Sequence, residues 1–251
     1  MSVRLTQLAA ETGRYAILFQ RTLSALFRSP GQARTLLEQV ERVGARSLPV
    51  VAVAGLFTGM VLAVQFSETL ARFGSRGLLG TAVGISLLRE LAPVLTALIT
   101  IGRAGSATCA EVAIMRSDQQ IDALECMAID PHAYLLAPRL LAFLCVLPLL
   151  TAIFEVFGIV GGALVAGSGY ADHAAAYLAN MSDGVLWPDL RMSLVKSMVF
   201  GMLIGWLCLA RGFLSSGLDG VEGISRTTTD AVVIASLAVL FMDYALTALL
   251  L

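Results

Sequence analysis

Two adjacent ionisable residues, Arg89 and Glu90, stand in the long apolar stretch LLRELAPVLTALIT. Inside a membrane such side chains are costly unless they are paired or face water. Neighbouring residues of a helix point about 100° apart, so the two cannot serve one face equally. We expect the Glu90 carboxylate to face a polar cavity and attract a cationic group, and Arg89 to pair with an acid of another helix or with a phosphate. The alternative is an ion pair that only fixes helix packing.

The rest of the chain offers little for catalysis. Its single lysine, Lys196, lies outside any glycine-rich loop, so there is no P-loop to hold nucleotide phosphates. No Ser-His-Asp set stands out, and the cysteines and histidines lack the spacing of a metal site: Cys109, Cys126, Cys145, Cys208, His132 and His173. We expect no catalytic residue, metal or cofactor in this chain, and no nucleic-acid partner. Any ATP that its function consumes must be hydrolysed by a separate subunit.

The elements that carry these residues are predicted to be membrane-crossing helices. Hydrophobic residues make up 57% of the 251 residues and charged residues 14%, with a mean hydropathy of +0.82, which is too apolar for a solvated surface. A crossing helix needs about 20 mostly apolar residues. Five stretches qualify, at about 47–67, 77–102, 140–171, 192–210 and 231–251. The predicted fold class is an all-α integral membrane protein with about five transmembrane helices.

The first 46 residues are predicted to form an interfacial helix and lead-in, before the membrane domain 47–251. In RYAILFQRTLSALFR, residues 14–28, the arginines recur every seven positions and the apolar residues share a helical face: Tyr15, Leu18, Phe19, Leu23, Leu26 and Phe27. A helix this charged is expected to lie in the headgroup plane rather than cross the membrane. The alternative is an ordinary amphipathic helix packed on protein.

The connection after the second span is rich in polar residues. Residues 118–128 predict a short helix with Ile121 and Leu124 on one side and acids on another, namely Asp118, Asp122 and Glu125. A cytoplasmic helix between two spans is suited to dock another protein, and a plain connecting turn is the alternative.

Three spans carry pairs of glycines four residues apart: Gly55 and Gly59, Gly158 and Gly162, Gly201 and Gly205. Such pairs let helix backbones approach closely where hydrocarbon gives no hydrophobic drive to associate. Packing within one chain is the preferred interpretation, and contact between two copies is the alternative.

Three sequence blocks resemble one family of membrane proteins. They are LLRELAPV, GRAGSATCAEVAIMRSDQQIDALECMAIDP and GISRTTTDAVVIASLAVLFMDYALTALL, and the resemblance runs from about Leu36 to Leu251. The chain is similar to the MlaE permeases of the Mla (MCE-type) ABC phospholipid transport system, found in the inner membrane of Gram-negative bacteria. Its segment Asp122-Ala123-Leu124 is loosely similar to the EAA loop by which other ABC permeases dock on ATPases, but Ala128 stands where that loop has glycine.

The resemblance implies the permease subunit of an ATP-driven ABC transporter that moves phospholipid between inner and outer membranes and maintains outer-membrane lipid asymmetry. It implies a homodimer that works with MlaF-like ABC ATPase subunits, which use ATP and Mg²⁺. An MlaB-like STAS-domain protein and an MlaD-like MCE-domain hexamer are the other implied partners. Two alternatives stay open: a secondary transporter that works without ATP, and a non-transporting membrane scaffold.

The same resemblance implies where the cargo and the ATPase bind. Phospholipid would occupy an outward-opening cavity between the two permeases, and helix 118–128 would couple the ATPase to the spans. Our own hypothesis from the residues is that Arg89 and Glu90 stand at this cavity beside the lipid headgroup. A helical stripe is expected to line the lipid tails: Leu62, Phe66, Leu70 and Phe73. The alternative is that this stripe faces bilayer lipid or packs on a neighbouring helix.

The uneven distribution of arginine predicts the orientation of the chain. Residues 1–46 contain seven arginines and three glutamates, whereas the connection 171–190 contains no lysine or arginine, and cytoplasmic connections carry the excess of basic residues. We expect the N-terminus in the cytoplasm and, after five spans, the C-terminus in the periplasm.

A reporter active only outside the cytoplasm should therefore be active when fused after Leu251. Silence in a fully expressed and functional fusion would contradict this topology.

Overall fold

The computed structural model describes residues 13, 15, 17–25, 33–170, 174–215 and 220–250. Within these ranges every regular element is helical, which confirms the predicted all-α class. Five helical stretches there are long and apolar enough to cross a membrane: Arg34–Arg72, Leu79–Ser117, His132–Ser168, Trp187–Phe213 and Gly220–Leu250. Each is longer than the apolar run that predicts it, because the helix continues through charged residues whose long side chains can reach the headgroup region.

Besides the helical residues 17–25, the described chain forms ten α-helices: α1 Ala33–Gly44, α2 Leu48–Arg72, α3 Leu79–Ser86, α4 Ala92–Thr100, α5 Ser106–Ser117, α6 Gln120–Cys126, α7 Ala137–Val165, α8 Ala174–Gly184, α9 Trp187–Phe213 and α10 Gly220–Leu250. A short 3₁₀ turn covers Arg76–Leu78, and wider π-helical turns cover Leu87–Leu91, Ile101–Gly105, His132–Leu136 and Ala166–Tyr170. The predicted docking segment 118–128 contains the shorter helix α6. The connection 171–190, in which the sequence predicts no helix, contains α8, while residues 171–173 lie outside the described ranges.

The chain divides into two compact units. Unit 1 comprises the described residues of Met1–Val43, Ile101–Phe143 and Met202–Leu237, and unit 2 those of Gly44–Thr100, Leu144–Gly201 and Ala238–Leu251. The core cluster of unit 1 is Leu18, Val112, Ile121, Leu135, Leu136, Leu140, Leu209 and Ala210. In unit 2 a separate cluster comprises Ala63, Leu79, Val83, Ala166 and Tyr177.

The helical residues 17–25 pack one face on unit 1. Leu18 is buried in its core cluster, and the Phe19 ring meets Trp206 edge to face at 4.9 Å between centroids. Ile17 and Arg21 stay exposed on the other face. For this part of the predicted interfacial helix, packing on protein is therefore observed. Arg14, Ala16 and residues 26–28 of that prediction lie outside the described residues.

In unit 2, α2 and α7 cross with their backbones in contact. A Cβ atom on Gly59 would stand 1.8 Å from the Gly158 carbonyl oxygen, and one on Gly55 would stand 2.5 Å from the Phe154 carbonyl oxygen. No side chain fits at these distances, so the crossing requires glycine. These glycines in α2 and α7 thus serve packing within one chain, which agrees with the interpretation that the sequence favours.

We expect Gly59→Ala to destabilise the protein by about 1–3 kcal/mol, because the new methyl group forces α2 away from the Gly158 backbone. Gly102→Ala is the matched control, since a Cβ there has no neighbouring atom within 4 Å. Thermal unfolding of the detergent-solubilised chain, followed by the loss of the monodisperse elution peak, measures both variants. Equal unfolding temperatures for the two would contradict the assigned backbone contact.

Candidate functional site

The candidate site begins at a break in the second span. In the turn Leu87–Leu91 the N–H of Ala92 bonds to the carbonyl of Leu87, five residues back, instead of four. Pro93 has no N–H to offer the carbonyl four residues before it, which is that of Arg89. Turns of this kind are frequent at functional sites. The turn holds both Arg89 and Glu90, and it leaves the Arg89 carbonyl free to accept a hydrogen bond from a side chain.

Lys196 of α9 supplies that hydrogen bond. Its side chain is fully buried, and Nζ donates to the Arg89 carbonyl at 2.9 Å, to Glu90 Oε2 at 2.8 Å and to Thr247 Oγ1 at 2.7 Å. These three bonds use all three protons of an ammonium group. Asp243 Oδ1 lies 2.9 Å from the same nitrogen as an ion pair without hydrogen-bond geometry. We name Lys196, Glu90, Asp243 and Thr247 the Lys196 cluster.

Arg89 points to a different acid. Its Nε lies 2.6 Å from Asp189 Oδ1, and the other carboxylate oxygen of Asp189 accepts the Leu186 N–H at 2.9 Å. Asp189 is buried in the first turn of α9, where a carboxylate is stabilised by the helix dipole. Of the two partners considered for Arg89, the acid of another helix is the one in place. The Arg89 side chain is one-third exposed, and its guanidinium group has further N–H donors for a ligand.

A cavity of about 320 Å³ lies beside Arg89. We name it the Arg89 cavity, and its lining is Arg89, Trp187, Pro188, Asp189, Arg191, Met192, Val195 and Leu250. It thus combines two guanidinium groups with mostly apolar walls, and guanidinium is well matched to phosphate oxygens. Glu90 does not line this cavity. It pairs with Lys196 with a side chain that is 40% exposed, so it can serve as a packing partner and still be reached by a ligand.

Three residues of the predicted tail-lining stripe pack against protein. Leu62, Phe66 and Leu70 contact the core cluster of unit 2, whereas Phe73 is 78% exposed. None of the four lines the Arg89 cavity. The stripe's role with lipid tails therefore stays a prediction, and packing on neighbouring helices is observed for its first three members.

Tyr177 of α8 belongs to that same cluster. Burial raises the pKa of Tyr177 to about 12, and its hydroxyl has no hydrogen-bond partner in the part of the chain that the structure describes. A Cβ on Gly162 would stand 2.3 Å from this hydroxyl oxygen. Tyr177 therefore acts as a core residue of unit 2, and Gly162 makes room for its ring.

Helix α6 presents a different surface from the one predicted. Ile121 is fully buried in the core cluster of unit 1, so it anchors the helix and offers no docking edge. Leu124 is half-buried, and the three acids are exposed: Asp118, Asp122 and Glu125. The position of Ile121 corrects the prediction that it forms an accessible apolar edge with Leu124. Both residues lie on the same side of the helix, but the core cluster of unit 1 covers Ile121 completely and Leu124 only in part.

The end of α6 is closed by two hydrogen bonds to its last turn. The Ile129 N–H bonds to the Leu124 carbonyl and the Ala128 N–H to the Glu125 carbonyl, both at 3.0 Å. Ala128 has φ of 58°, a left-handed conformation that glycine usually occupies in this Schellman motif. Ala128 therefore adopts the left-handed conformation at the position where the EAA loop of other ABC permeases has glycine.

A family model described as Permease MlaE matches residues 36–249 of the chain. The chain belongs to the MlaE permease family. The intermembrane phospholipid transport system permease protein MlaE of Haemophilus influenzae is 39% identical, over 86% of this chain and 82% of its own length. A probable ABC transporter permease protein of Rickettsia typhi is 36% identical, over 96% and 93%. The chloroplastic protein TRIGALACTOSYLDIACYLGLYCEROL 1 of Arabidopsis thaliana is 32% identical, over 85% of this chain and 60% of its own length.

Family membership confirms the resemblance, and the site of this MlaE-family permease includes residues that the sequence did not assign to it. The sequence signal for Lys196 and Asp243 is that each is a lone charge in an apolar span. Two such charges of opposite sign are expected to pair. The sequence signal for Asp189 is its place directly after Pro188, because proline and acidic residues favour the first turn of a helix. Arg191 and Thr247 carry no such signal, because their roles depend on which face each helix turns inward.

We expect Lys196→Met to destabilise this permease by about 3–5 kcal/mol, because it leaves Asp243 and Glu90 without their shared cation. Adding Glu90→Gln and Asp243→Asn should restore much of that loss, since the triple variant buries no unpaired charge. Unfolding temperatures of the single and triple variants in the same detergent measure the effect. A single variant as stable as the wild type, or a triple variant no better than the single one, would rule out the proposed charge balance.

Proposed function

We propose that this chain is the permease subunit of an ATP-driven ABC transporter that moves phospholipid between the inner and outer membranes and maintains outer-membrane lipid asymmetry. Membership of the MlaE permease family supports this proposal, as does the name of the Haemophilus influenzae relative. The structural observation that carries it is the Arg89 cavity, which places two guanidinium groups against apolar walls. This combination is complementary to a phospholipid, because the lipid phosphate is anionic and the acyl chains are hydrocarbon.

The proposed headgroup contacts use the existing ion pairs. Asp189 binds Nε of Arg89 and so orients the guanidinium, which leaves its other donors to bind the lipid phosphate together with Arg191. In the Lys196 cluster two carboxylates share one ammonium group. That negative balance favours a positively charged headgroup amine near the accessible Glu90 carboxylate. The tails would follow the stripe Leu62, Phe66, Leu70 and Phe73.

The proposed coupling surface is the exposed side of α6. Leu124 is half-buried, while Asp118, Asp122 and Glu125 point to solvent, and Met127 beyond the helix is 61% exposed. Asp122 is held by Arg116 at 2.8 Å, which fixes one edge of this surface. A partner with a basic groove and an apolar pocket for Leu124 would complement it. The proposed partner is an MlaF-like ABC ATPase, which uses ATP and Mg²⁺.

The remaining assembly follows from family membership as a proposal. Two copies of the chain would form a homodimer, with the ATPases and an MlaB-like STAS-domain protein on the cytoplasmic side and an MlaD-like MCE-domain hexamer on the other. The proposed location is the bacterial inner membrane, with the N-terminus cytoplasmic and the C-terminus periplasmic. An ATP-independent secondary transporter and a non-transporting scaffold are the functions that an experiment must separate from this one.

A transfer assay makes that separation. The chain and its ATPase are reconstituted in donor vesicles with labelled phospholipid, and label is followed into acceptor vesicles with and without ATP. We expect ATP-dependent transfer only when both subunits are present. Equal transfer without ATP would indicate a secondary transporter, and absence of transfer by the fully assembled complex would indicate a scaffold.

Leu124→Asp tests the coupling surface in the same system. The new carboxylate would be buried without a partner in the ATPase contact, at a cost of a few kcal/mol, so copurification of the ATPase and transfer should both be lost. Leu124→Ala, which adds no charge, is the control and should reduce copurification less. The permease itself should still insert at wild-type yield, since Leu124 is outside the buried cluster that holds Ile121. Undiminished copurification of the Leu124→Asp variant would remove α6 from the docking surface.

A further inference from the structure

A groove of about 270 Å³ lies between α7 and α9 of unit 2. We name it the lateral groove, and its lining is Pro148, Ala152, Glu155, Trp187, Leu190, Arg191, Ser193, Leu194 and Ser197. The α7 residues are spaced by four and three, so they form one helical face. Leu149 and Val156 on α7 and Leu194 on α9 are more than half exposed. Apolar residues exposed in membrane-crossing helices face lipid, so the lateral groove opens toward the bilayer.

The lateral groove has a polar floor. Glu155 is 9% exposed and its carboxylate accepts a hydrogen bond from the Ser193 hydroxyl, which is also buried. No described basic side chain pairs with Glu155. An acid placed inside an apolar span is costly and is usually retained for a function. Here the acid and the hydroxyl offer polar contacts part of the way along an otherwise apolar surface.

One end of the lateral groove is cationic. Arg191 is exposed and forms no ion pair with the residues that the structure describes. Trp187, one turn earlier at the start of α9, is 77% exposed, and exposed tryptophan is typical of the membrane–water interface. From Trp187 to Ser197 the helix rises about 15 Å, which is half of the hydrocarbon thickness of a bilayer. The lateral groove therefore runs from the interface through about one leaflet.

We propose that the lateral groove binds one bilayer phospholipid, with its phosphate at Arg191 and an acyl chain along Ala152 and Pro148. Charge complementarity selects this occupant, because the exposed guanidinium of Arg191 can bind an anionic phosphate at the level of the headgroups. A crossing helix of another protein would cover the apolar part and leave Arg191 unmatched. The lateral groove shares Trp187 and Arg191 with the Arg89 cavity, and lipid binding in it does not depend on whether the chain transports phospholipid.

Trp187 provides the reporter for a direct test. The chain has two tryptophans, so Trp206→Phe, or Trp206→Tyr if that variant is not monodisperse, leaves Trp187 alone. The full chain is placed in vesicles of digalactosyldiacylglycerol, which has no phosphate, and brominated phosphatidylglycerol is titrated in. We expect quenching of Trp187 that saturates at a low mole fraction, whereas brominated diacylglycerol should quench only in proportion to its amount. Quenching in proportion to the amount of lipid for both lipids would overturn the proposal. So would the absence of Trp187 quenching by either lipid, which would indicate that protein covers the lateral groove.

Variants decide which residues bind the lipid. Arg191→Gln should raise the half-saturating mole fraction about tenfold, the effect of losing one charge-assisted hydrogen bond, and Arg72→Gln, at another exposed arginine, should not. Trp187 and Arg191 border both cavities, so Ala152→Phe is used to fill only the lateral groove and Val195→Phe only the Arg89 cavity. Saturable quenching should disappear in the first and persist in the second. The reverse pattern, or indifference to Arg191→Gln, would refute the lateral groove as the site.

Discussion

The burial of one ammonium group fixes the arrangement of unit 2. Lys196 is fully enclosed in a span, and hydrocarbon offers no water to solvate its charge, so its protons must find oxygen acceptors within the protein. They are supplied by the turn Leu87–Leu91 and by α10. Asp243 and Thr247 stand one helical turn apart on α10, so rotating that helix by one residue would turn both away from Nζ. The ion cluster therefore sets the rotation of α9 and α10 about their axes.

Helices α2 and α7 are not linked by an ion pair in the described structure, and glycine lets their backbones pack in direct contact. The α2 and α7 backbones meet at Gly59 and Gly158, with no side chain between them. In lipid the apolar side chains gain little from burial, so close van der Waals contact and polar contacts are what hold helices together. Unit 2 has both kinds of contact: the close backbone contact between α2 and α7, and the polar contacts of the Lys196 cluster. The apolar stripe on α2 adds to this packing. This explains why Leu62 and Phe66 contact a protein core although their pattern also suits lipid.

The sequence predicts the helical class and the polar centre of this fold, because both depend on local composition. Long apolar runs with few charged residues mark five spans, and the adjacent Arg89 and Glu90 mark a place where the side chains of a membrane helix must be paired or face water. Pairings are not local. Asp189 stands 100 residues from Arg89, and only the packing of α9 brings them together. The burial of Ile121 could not be predicted because it depends on the neighbours of α6. Helix α8 was missed because its 11 residues are too few to form an apolar run of membrane-crossing length.

The anchoring of α6 bears on how ATPase movement would reach the spans. Ile121 belongs to the core cluster of unit 1 together with Val112 of α5, Leu140 of α7 and Leu209 of α9. Left-handed residues stand at both ends of the short helix, Gln119 and Ala128, each an L-residue in a conformation that costs about 1–2 kcal/mol. Such residues persist only where surrounding contacts hold them. A force applied to the exposed side of α6 would therefore reach the span helices through the packing of Ile121.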